Sequence, residues 1–571
     1  MDKIVKISDL TKSFDAAPTL ALKSINAEFS KGKIIGLVGP DSAGKTTLIR
    51  IMAGLLKPTS GSVKILGHDT ILEDRAVHDI ISYMPQRFGL YEDLTVIQNL
   101  NLYAELQGVK IEEKQAKFEK LLSFTGLKPF INRLARDLSG GMKQKLGLAC
   151  TLLRTPKLLL LDEPSVGVDP ISRRELWKMV SVLTKEDVTI LWSTAYLDEA
   201  EKCDEVLLLN KGELLYYGPP NDLTSKMKGR SFQIIGSKNR RSTLSKAILN
   251  KDIIDGVIQG NAVRIILKEG VKNVDVSEFD KDAVLKEVPP RFEDAFIDIL
   301  GGGPKEKSSL SKFGFSYPID EKPIVEVKNL TKLFGNFTAA DKISFSVKKG
   351  EIFGLLGPNG AGKSTTFKML CGLLKPTSGE GYISGISIRE FTEKAREEIG
   401  YMAQKFSLYG NMTVLQNLNF FAGIYRIKNG SGDEKIKQMS SIFELDKYSN
   451  TASFLLPLGF KQRLSLACAI LHEPEVLFLD EPTSGVDPIT RREFWNHINC
   501  MVEKGVSIIV TTHFMDEAEN CDRIGLINQG KLITIGTPDE LKERVQSKDL
   551  PNPTLEDAFI VLSQNEEKHV F

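Results

Sequence analysis

Long stretches of this sequence occur twice, and a constant spacing of 318 residues relates the two copies. Lys45 corresponds in this way to Lys363, and Asp162 corresponds to Asp480. The spacing stays constant over more than 120 residues, which indicates a duplicated globular domain, because a solenoid repeats at much shorter periods. The chain therefore contains two versions of one domain, called here the first copy and the second copy.

The spacing between the copies changes towards their ends. "RFEDAFIDIL" and "TLEDAFIVL" place Glu293 and Glu556 only 263 residues apart, so the first copy carries about 55 additional residues. Within them, "RSFQIIG" and "NAVRIILK" alternate like half-buried strands, and "TLSKAIL" has a helical pattern. The segment with "GGGPKEKSSLSK" has the composition of a flexible linker. We predict a first α/β domain at 1–225, a small α+β domain at 226–301, a linker at 302–322, a second α/β domain at 323–540 and a helical extension at 541–571.

Composition excludes several classes of protein. The 571 residues include 75 Lys and Arg against 74 Asp and Glu, so no overall basic field favours nucleic acid as a partner. No apolar run approaches the roughly 20 residues that cross a bilayer, and "MDKIVKISDL" lacks the apolar segment of a signal peptide. The six cysteines show no metal-binding spacing. We expect a cytoplasmic protein.

Each copy contains a glycine-rich loop between an apolar strand and a helix, in "KIIGLVGPDSAGKTTLIRI" and "EIFGLLGPNGAGKSTTFKM". The pattern G-x-x-x-x-G-K-[ST] in this context predicts a phosphate-binding loop, because backbone N–H groups and the helix N-terminus hold phosphate oxygens. Lys45 and Lys363 would reach the β- and γ-phosphates, and Thr46 and Ser364 would bind Mg²⁺. The predicted nucleotide-binding residues are Gly39, Pro40, Asp41, Ser42, Ala43, Gly44, Lys45, Thr46 and Thr47 in the first copy, and Gly357, Pro358, Asn359, Gly360, Ala361, Gly362, Lys363, Ser364 and Thr365 in the second.

A second pair of motifs, "KLLLLDEP" and "EVLFLDEP", follows in both copies. Four apolar residues in a row predict a parallel strand that is buried on both faces. Asp162 and Asp480, at the carboxyl ends of these strands, could each hold Mg²⁺, and Glu163 and Glu481 could each polarise an attacking water.

These motifs resemble the nucleotide-binding domains of ABC transporters. "DPISRRELW" and "DPITRREFW" narrow the resemblance to the tandem ATP-binding subunits of bacterial type-2 multidrug exporters. The resemblance implies an α/β fold, with a P-loop NTPase (RecA-like) core, an antiparallel β subdomain and a helical subdomain in each copy. It also implies ATP and Mg²⁺, with Gln86 and Gln404 at both the nucleotide and the metal. Phe14 and Phe334 lie where the family offers an aromatic face to adenine, and an ordinary core role is the alternative.

The family pairs two such domains head to tail, so that each ATP lies between one P-loop and the signature motif of the other domain. The first copy has this signature as Ser139-Gly140-Gly141, whereas the second has Pro457-Leu458-Gly459. Proline offers neither a hydroxyl nor an N–H, and Leu458 places a side chain where close backbone approach needs glycine. The ATP site that contains Lys45 would therefore face a degenerate signature.

The ATP site that contains Lys45 also lacks a histidine that the family resemblance implies. The family's switch histidine is His513 in "IIVTTHFMDEAENCD", but Ala195 replaces it in "ILWSTAYLDEAEKCD". Asp41 also adds a carboxylate to the first phosphate-binding loop, where we expect weaker phosphate binding. We therefore expect hydrolysis to use Glu481 and His513, while the site with Glu163 holds nucleotide.

We expect this chain to power export through separate transmembrane permease subunits, two in number, at the inner face of the cell membrane. The segments "QRFGLYEDLTVIQNL" and "QKFSLYGNMTVLQNL" would contact a permease helix, and a solvated loop is the other interpretation. A tandem ATPase that acts on ribosomes or nucleic acid is the alternative function, and a tandem importer ATPase is a third. The near-zero net charge and the strand-like inserted segment favour the exporter.

Overall fold

A computed structural model describes residues 3–14, 20–86, 89–319, 321–390, 398–404, 406–427 and 431–568. The chain divides into two units, one of Met1–Lys228 with Pro289–Gly301 and one of Gly229–Val288 with Gly302–Phe571. Three residues of the segments expected to contact a permease, Arg87, Phe88 and Lys405, lie outside the described residues.

The first unit contains the first copy. Its strands are β1 (Lys3–Lys12), β2 (Leu22–Ser30), β3 (Ile34–Val38), β4 (Ser60–Ile65), β5 (His68–Asp69), β6 (Ile81–Met84), β7 (Leu158–Leu161), β8 (Thr189–Thr194), β9 (Glu205–Asn210) and β10 (Glu213–Gly218). Its helices are α1 (Lys45–Met52), α2 (Asp74–Ile80), α3 (Val96–Leu106), α4 (Ile111–Thr125), α5 (Gly140–Thr151), α6 (Pro170–Leu183), α7 (Leu197–Ala200), α8 (Pro220–Ser225) and α10 (Phe292–Ile299).

Two sheets and a helical layer organise this unit. The central sheet has the order β10-β9-β3-β8-β7-β6, in which only β10 runs antiparallel to its neighbour. All residues of β3, β7 and β8 are buried, as expected for parallel strands covered on both faces. An antiparallel sheet of order β2-β1-β4-β5 shares a hydrophobic core with α1 and the central sheet, whereas α3, α4 and α5 enclose a core of their own. The predicted β and helical subdomains are therefore confirmed.

The second unit begins with the small domain. It contains β11 (Ser231–Ile235), α9 (Arg240–Ala247), β12 (Ile253–Gln259), β13 (Ala262–Leu267) and β14 (Val284–Glu287). These strands form one antiparallel sheet of order β12-β13-β11-β14 around a core of its own. The strands and the helix predicted from the alternation in the inserted segment are confirmed.

The second copy repeats the architecture of the first. Its strands are β15 (Pro323–Phe334), β16 (Phe337–Lys348), β17 (Ile352–Leu356), β18 (Ser378–Ile383), β19 (Ile386–Ser387), β20 (Ile399–Met402), β21 (Val476–Asp480), β22 (Ser507–Thr512), β23 (Arg523–Asn528) and β24 (Lys531–Gly536). Its helices are α11 (Lys363–Leu370), α12 (Val414–Ile424), α13 (Ser431–Ile442), α14 (Leu458–Ile470), α15 (Pro488–Glu503), α16 (Met515–Ala518), α17 (Pro538–Glu543) and α18 (Leu555–Lys568). The sheet orders are β16-β15-β18-β19 and β20-β21-β22-β17-β23-β24.

Charged side chains attach the small domain to the second copy. Arg240 and Arg241 each donate to Asp522 at 2.6 Å, and the same carboxylate accepts the N–H of Ile352 at the start of β17. Arg492 on α15 lies 3.1 Å from Asp255 on β12, and both side chains are buried. The domain is therefore held to the second copy by ion pairs, of which the pair between Arg492 and Asp255 is buried.

The segment predicted to be a flexible linker packs against the second copy over most of its length. Leu310, Phe313 and Phe315 are buried, and the Oγ of Ser308 lies 2.8 Å from Nδ1 of His497 on α15. The Gly, Ser and Lys content indicates flexibility, but the apolar residues of the segment are buried. The interpretation of this segment as flexible is therefore wrong for residues 308–315.

The small domain ends earlier in the chain than the sequence predicts. Its predicted boundary is residue 301, but residues 289–301 belong to the first unit. Helix α10 packs there against α7 and α8, with Phe292 and Phe296 fully buried. The chain thus returns from the small domain to the first unit before it enters the second copy.

Candidate functional site

The two glycine-rich loops hold their lysines in the same way. Each loop connects the end of a central strand, β3 or β17, to the start of a helix, α1 or α11. Lys45 Nζ donates to the carbonyls of Gly39 at 2.7 Å and Pro40 at 3.1 Å. Lys363 makes the equivalent bonds in the second copy at 2.7 and 3.0 Å. Both lysines are therefore buried, and each ammonium group donates to two backbone carbonyls of its own loop.

Backbone conformation explains the glycines of these loops. Gly44 and Gly362 have φ of 106° and 101°, and a Cβ on either would collide with the carbonyl of Ala21 or Ala339. The loops differ two residues earlier, where Ser42 has a φ of 62° and Gly360 has a φ of 82°, a left-handed conformation that only glycine adopts without strain. The first loop therefore carries a conformational cost that the second avoids.

A hydroxyl and an aspartate face each other beside each lysine, as the sequence predicted. Thr46 Oγ1 donates to Asp162 Oδ1 at 3.2 Å, and Ser364 Oγ donates to Asp480 Oδ1 at 3.1 Å. Burial raises the pKa of Asp162 to about 6, and it raises the pKa of Asp480 as well. Oδ2 of Asp162 is buried without a hydrogen-bond partner. An unsatisfied carboxylate oxygen beside a hydroxyl suits a hard cation such as Mg²⁺, so these residues fit the predicted metal site.

Three side chains surround the carboxylate of Glu481. Gln404 Nε2 donates to Oε2 at 2.7 Å, His513 Nδ1 lies 3.2 Å from the same oxygen, and Lys363 Nζ lies 3.9 Å from Oε1. Burial alone would raise the pKa of Glu481, but these neighbours outweigh it and lower the pKa to about 2. Glu481 is therefore ionised at any ordinary pH, in a position where it can polarise a water.

Glu163 has a smaller set of neighbours. Gln86 Nε2 donates to its Oε2 at 2.5 Å, and Lys45 Nζ lies 3.7 Å from its Oε1. Ala195 stands at the position of the histidine, so the first copy brings together the predicted residues except for that imidazole.

Thr511, which none of the sequence motifs predicts as a site residue, contacts both acidic residues of the second site. Its Oγ1 donates to Asp480 Oδ1 at 2.6 Å and accepts the N–H of Glu481 at 3.0 Å. The equivalent residue of the first copy is Ser193, whose buried hydroxyl has no partner. The sequence does mark this position, because "VTTH" in the second copy corresponds to "WSTA" in the first and differs two residues before the histidine as well as at it.

The two signatures differ in structure as they do in sequence. Ser139 caps α5, because its hydroxyl accepts the N–H of Met142 at 3.3 Å. Pro457 takes the same place before α14 and makes no side-chain cap, and Leu458 beside it is 40% exposed. A Cβ on Gly141 would collide with Ser172. The helix thus begins at the same point in both copies, but only the first presents a hydroxyl there.

Phe14 and Phe334 are 45% and 50% exposed, so neither ring fills the core. The ammonium of Lys12 lies 5.2 Å from the ring centre of Phe14, and that of Lys332 lies 5.1 Å from Phe334. This exposure speaks against the core alternative, and stacking of the two rings on a base stays a prediction.

The described residues contain neither a candidate membrane span nor a candidate metal-binding cluster. No helix there is both long enough and apolar enough to span a membrane. In the same ranges, no three side chains of His, Cys, Asp or Glu come together as a metal cluster.

Comparisons with known proteins agree with this geometry. The family model described as "ABC transporter" matches residues 22–166 and 340–484. The chain is 56% identical to the probable multidrug ABC transporter ATP-binding protein YbhF of Escherichia coli K12, over 99% of each chain. It is 37% identical to the linearmycin resistance ATP-binding protein LnrL of Bacillus subtilis, over 42% of this chain and 78% of that one.

A solved structure of the ATP-binding subunit of an ABC transporter matches 42% of this chain and 99% of its own, at 27% identity and a TM-score of 0.39. The family model matches each copy across its phosphate-binding loop and its Asp-Glu pair, and the curated relative matches nearly end to end. The chain is an ATPase with two nucleotide-binding domains, and it belongs to the ABC transporter family.

Proposed function

We propose that this chain is the motor subunit of an exporter of drugs or other toxic small molecules, which cross the membrane through separate permease subunits. The observation that carries this proposal is the 56% identity, over 99% of both chains, to a protein named as a probable multidrug transporter component. Two complete phosphate-binding loops in one chain support a motor role.

We assign hydrolysis to the second copy. Glu481 would polarise the attacking water, since its low pKa keeps the carboxylate ionised. His513 would orient that water and contact the γ-phosphate, and Lys363 would bind the β- and γ-phosphates. When bound by Ser364, Gln404 and Asp480, Mg²⁺ would neutralise charge on the transferred phosphoryl group.

The first copy is proposed to bind ATP and hydrolyse it slowly. Its lysine and hydroxyl are in place, but it lacks the histidine and its loop contains Asp41 and the strained Ser42. If the two domains pair head to tail, as the family resemblance implies, this site would also face Pro457 and Leu458. One site would then hold nucleotide while the other turns over.

Two permease domains are the proposed partners, because a single chain already supplies both nucleotide-binding domains. The chain would then associate with the inner face of the membrane through those subunits. Contacts would involve the segments after Gln86 and Gln404, in which Tyr91 and Tyr409 are about half exposed.

Co-purification from detergent-solubilised membranes tests this function. An affinity-tagged chain should bring down transmembrane proteins in a fixed ratio, and ATPase activity should rise in that complex. Pelleting with ribosomes, without enrichment in the membrane fraction, would instead support the alternative of a tandem ATPase acting on ribosomes or nucleic acid.

A further inference from the structure

The hydroxyl of Thr511 connects the two acidic residues of the second site. Thr511 lies on β22, next to β21, and is fully buried. Its Oγ1 donates to Asp480 at 2.6 Å and accepts the N–H of Glu481 at 3.0 Å, which uses its one donor and one of its two acceptor positions. The same N–H also lies 3.0 Å from the carbonyl of Thr511. One residue therefore contacts the carboxylate of one acid and the backbone of the next.

The backbone at Glu481 requires such support. Its φ is 49°, in the left-handed region that a glutamate rarely adopts. This conformation determines where the Glu481 carboxylate lies, and hence its contacts with Gln404 and His513. Rotation of the peptide would leave a buried N–H unpaired, so the contact with Thr511 favours one arrangement.

The first copy lacks this connection. Glu163 has nearly the same φ, 51°, but Ser193 takes the place of threonine. Ser193 Oγ and Asp162 Oδ2 are both buried without a hydrogen-bond partner. The β-branch of threonine restricts χ1, whereas a serine hydroxyl rotates among several positions. The two copies thus differ at this strand position as well as at the switch histidine two residues later.

We propose that Thr511 is a positioning residue for hydrolysis in the second copy, whose hydroxyl fixes the Asp480 carboxylate and the Glu481 backbone relative to each other. This rests on the proposed assignment of hydrolysis to that copy. The proposed role of Thr511 requires no contact with the nucleotide. It acts by holding Glu481 and Asp480 in the arrangement that the reaction needs.

Three variants of the full chain test the proposal. Thr511→Val keeps the shape and removes the hydroxyl, Thr511→Ser keeps the hydroxyl and removes the methyl, and Ser193→Val is the matched change in the first copy. We expect Thr511→Val to lower kcat by about 10- to 100-fold, as for a lost hydrogen bond to a charged group, with little change in the KM for ATP. Thr511→Ser should give a kcat between those of Thr511→Val and the unchanged protein, because it keeps the hydroxyl but loses the β-branch that restricts χ1. Ser193→Val should leave kcat within about twofold of the unchanged protein.

A binding measurement accompanies the kinetics. The rise in Tm on adding ATP, with Mg²⁺ or with EDTA, reports nucleotide binding without turnover. We expect Thr511→Val to retain the rise in EDTA and to lose part of the additional rise that Mg²⁺ gives. Unchanged kcat in Thr511→Val, or equal losses of kcat and Tm in the valine and serine variants, would overturn the proposal. Glu481→Gln serves as the reference, because full activity in that variant would refute the assignment of hydrolysis to the second copy instead.

Discussion

Nδ1 of His513 lies 3.2 Å from Oε2 of Glu481, and both side chains are buried. The imidazole lowers the pKa of this glutamate, which burial alone would raise. The first copy has alanine at the histidine position, and Gln86 and Lys45 contact its glutamate. The two sites therefore differ in electrostatics although their phosphate-binding loops are nearly alike.

The first prediction compares the two glutamates. Glu481→Gln should lower steady-state ATPase activity by about 10²- to 10³-fold, because the amide cannot take a proton from water. Glu163→Gln, the matched change, should leave most of the activity. Binding of ATP, followed by the rise in Tm, should persist in both variants. Equal losses of activity in the two variants would refute the division of roles between the copies.

The second prediction concerns the switch histidine. His513→Ala should lower kcat by about 10²-fold, since it removes a preorganised polar group at the site of phosphoryl transfer. The reverse change, Ala195→His, should not raise the turnover of the chain by itself, because that site would still face a degenerate signature. An increase of several-fold in Ala195→His would show that the histidine alone limits the first site.

The third prediction concerns the signatures. Ser139→Arg should abolish most ATPase activity although it lies in the first copy, because the proposed head-to-tail pairing would bring this signature to the second copy's nucleotide. Pro457→Arg is the control, and it should have little effect since its signature has already lost the hydroxyl and the glycine. Ser139 also caps α5, and loss of a cap costs about 1 kcal/mol. A Tm measurement on both variants separates that cost from the loss of catalysis.

Local patterns predicted most of the fold and of the two sites, because both depend on contiguous stretches. The buried strand before Asp480 and the loop before Lys363 are such stretches. The packing of residues 308–315 was not predictable from composition, since the burial of Phe313 depends on a surface that distant residues build. The role of Thr511 also depends on a contact between residues that are far apart in the sequence. Its contact with Asp480 crosses between neighbouring strands that are 31 residues apart in the chain.

The fourth prediction tests how the small domain is attached. Arg492→Ala should lower the free energy of unfolding by about 3–5 kcal/mol, because it removes the cation that lies 3.1 Å from the buried carboxylate of Asp255. The double variant Arg492→Met with Asp255→Leu should recover much of that loss. Lys238→Ala, which removes an exposed ion pair with Asp282 in the same domain, should leave the denaturation midpoint unchanged. An equal midpoint in Arg492→Ala and Lys238→Ala would contradict the prediction.

The last prediction concerns the stability of the second copy at acidic pH. Burial lowers the pKa of His472 and of His497 to about 4. His472 donates through Nε2 to the carbonyl of Ile399 at 3.0 Å and stacks on Tyr425, while its Nδ1 is buried without a partner. Between pH 6.5 and 4 the unfolded chain binds more protons than the folded chain at these two residues, so their contribution lowers stability as the pH falls through this range.

Each histidine should account for about 1.4 kcal/mol of lost stability at pH 5.5 relative to pH 7.5. His472→Gln and His497→Asn keep a polar side chain that cannot titrate, and the first copy has Arg154 and Met179 at these positions. Both variants should therefore lose less stability than the unchanged chain between pH 7.5 and 5.5, as measured by urea denaturation at the two pH values. Parallel losses in the variants and the unchanged chain would show that these histidines do not control the acid sensitivity, because the contribution of a titrating group must disappear with the group.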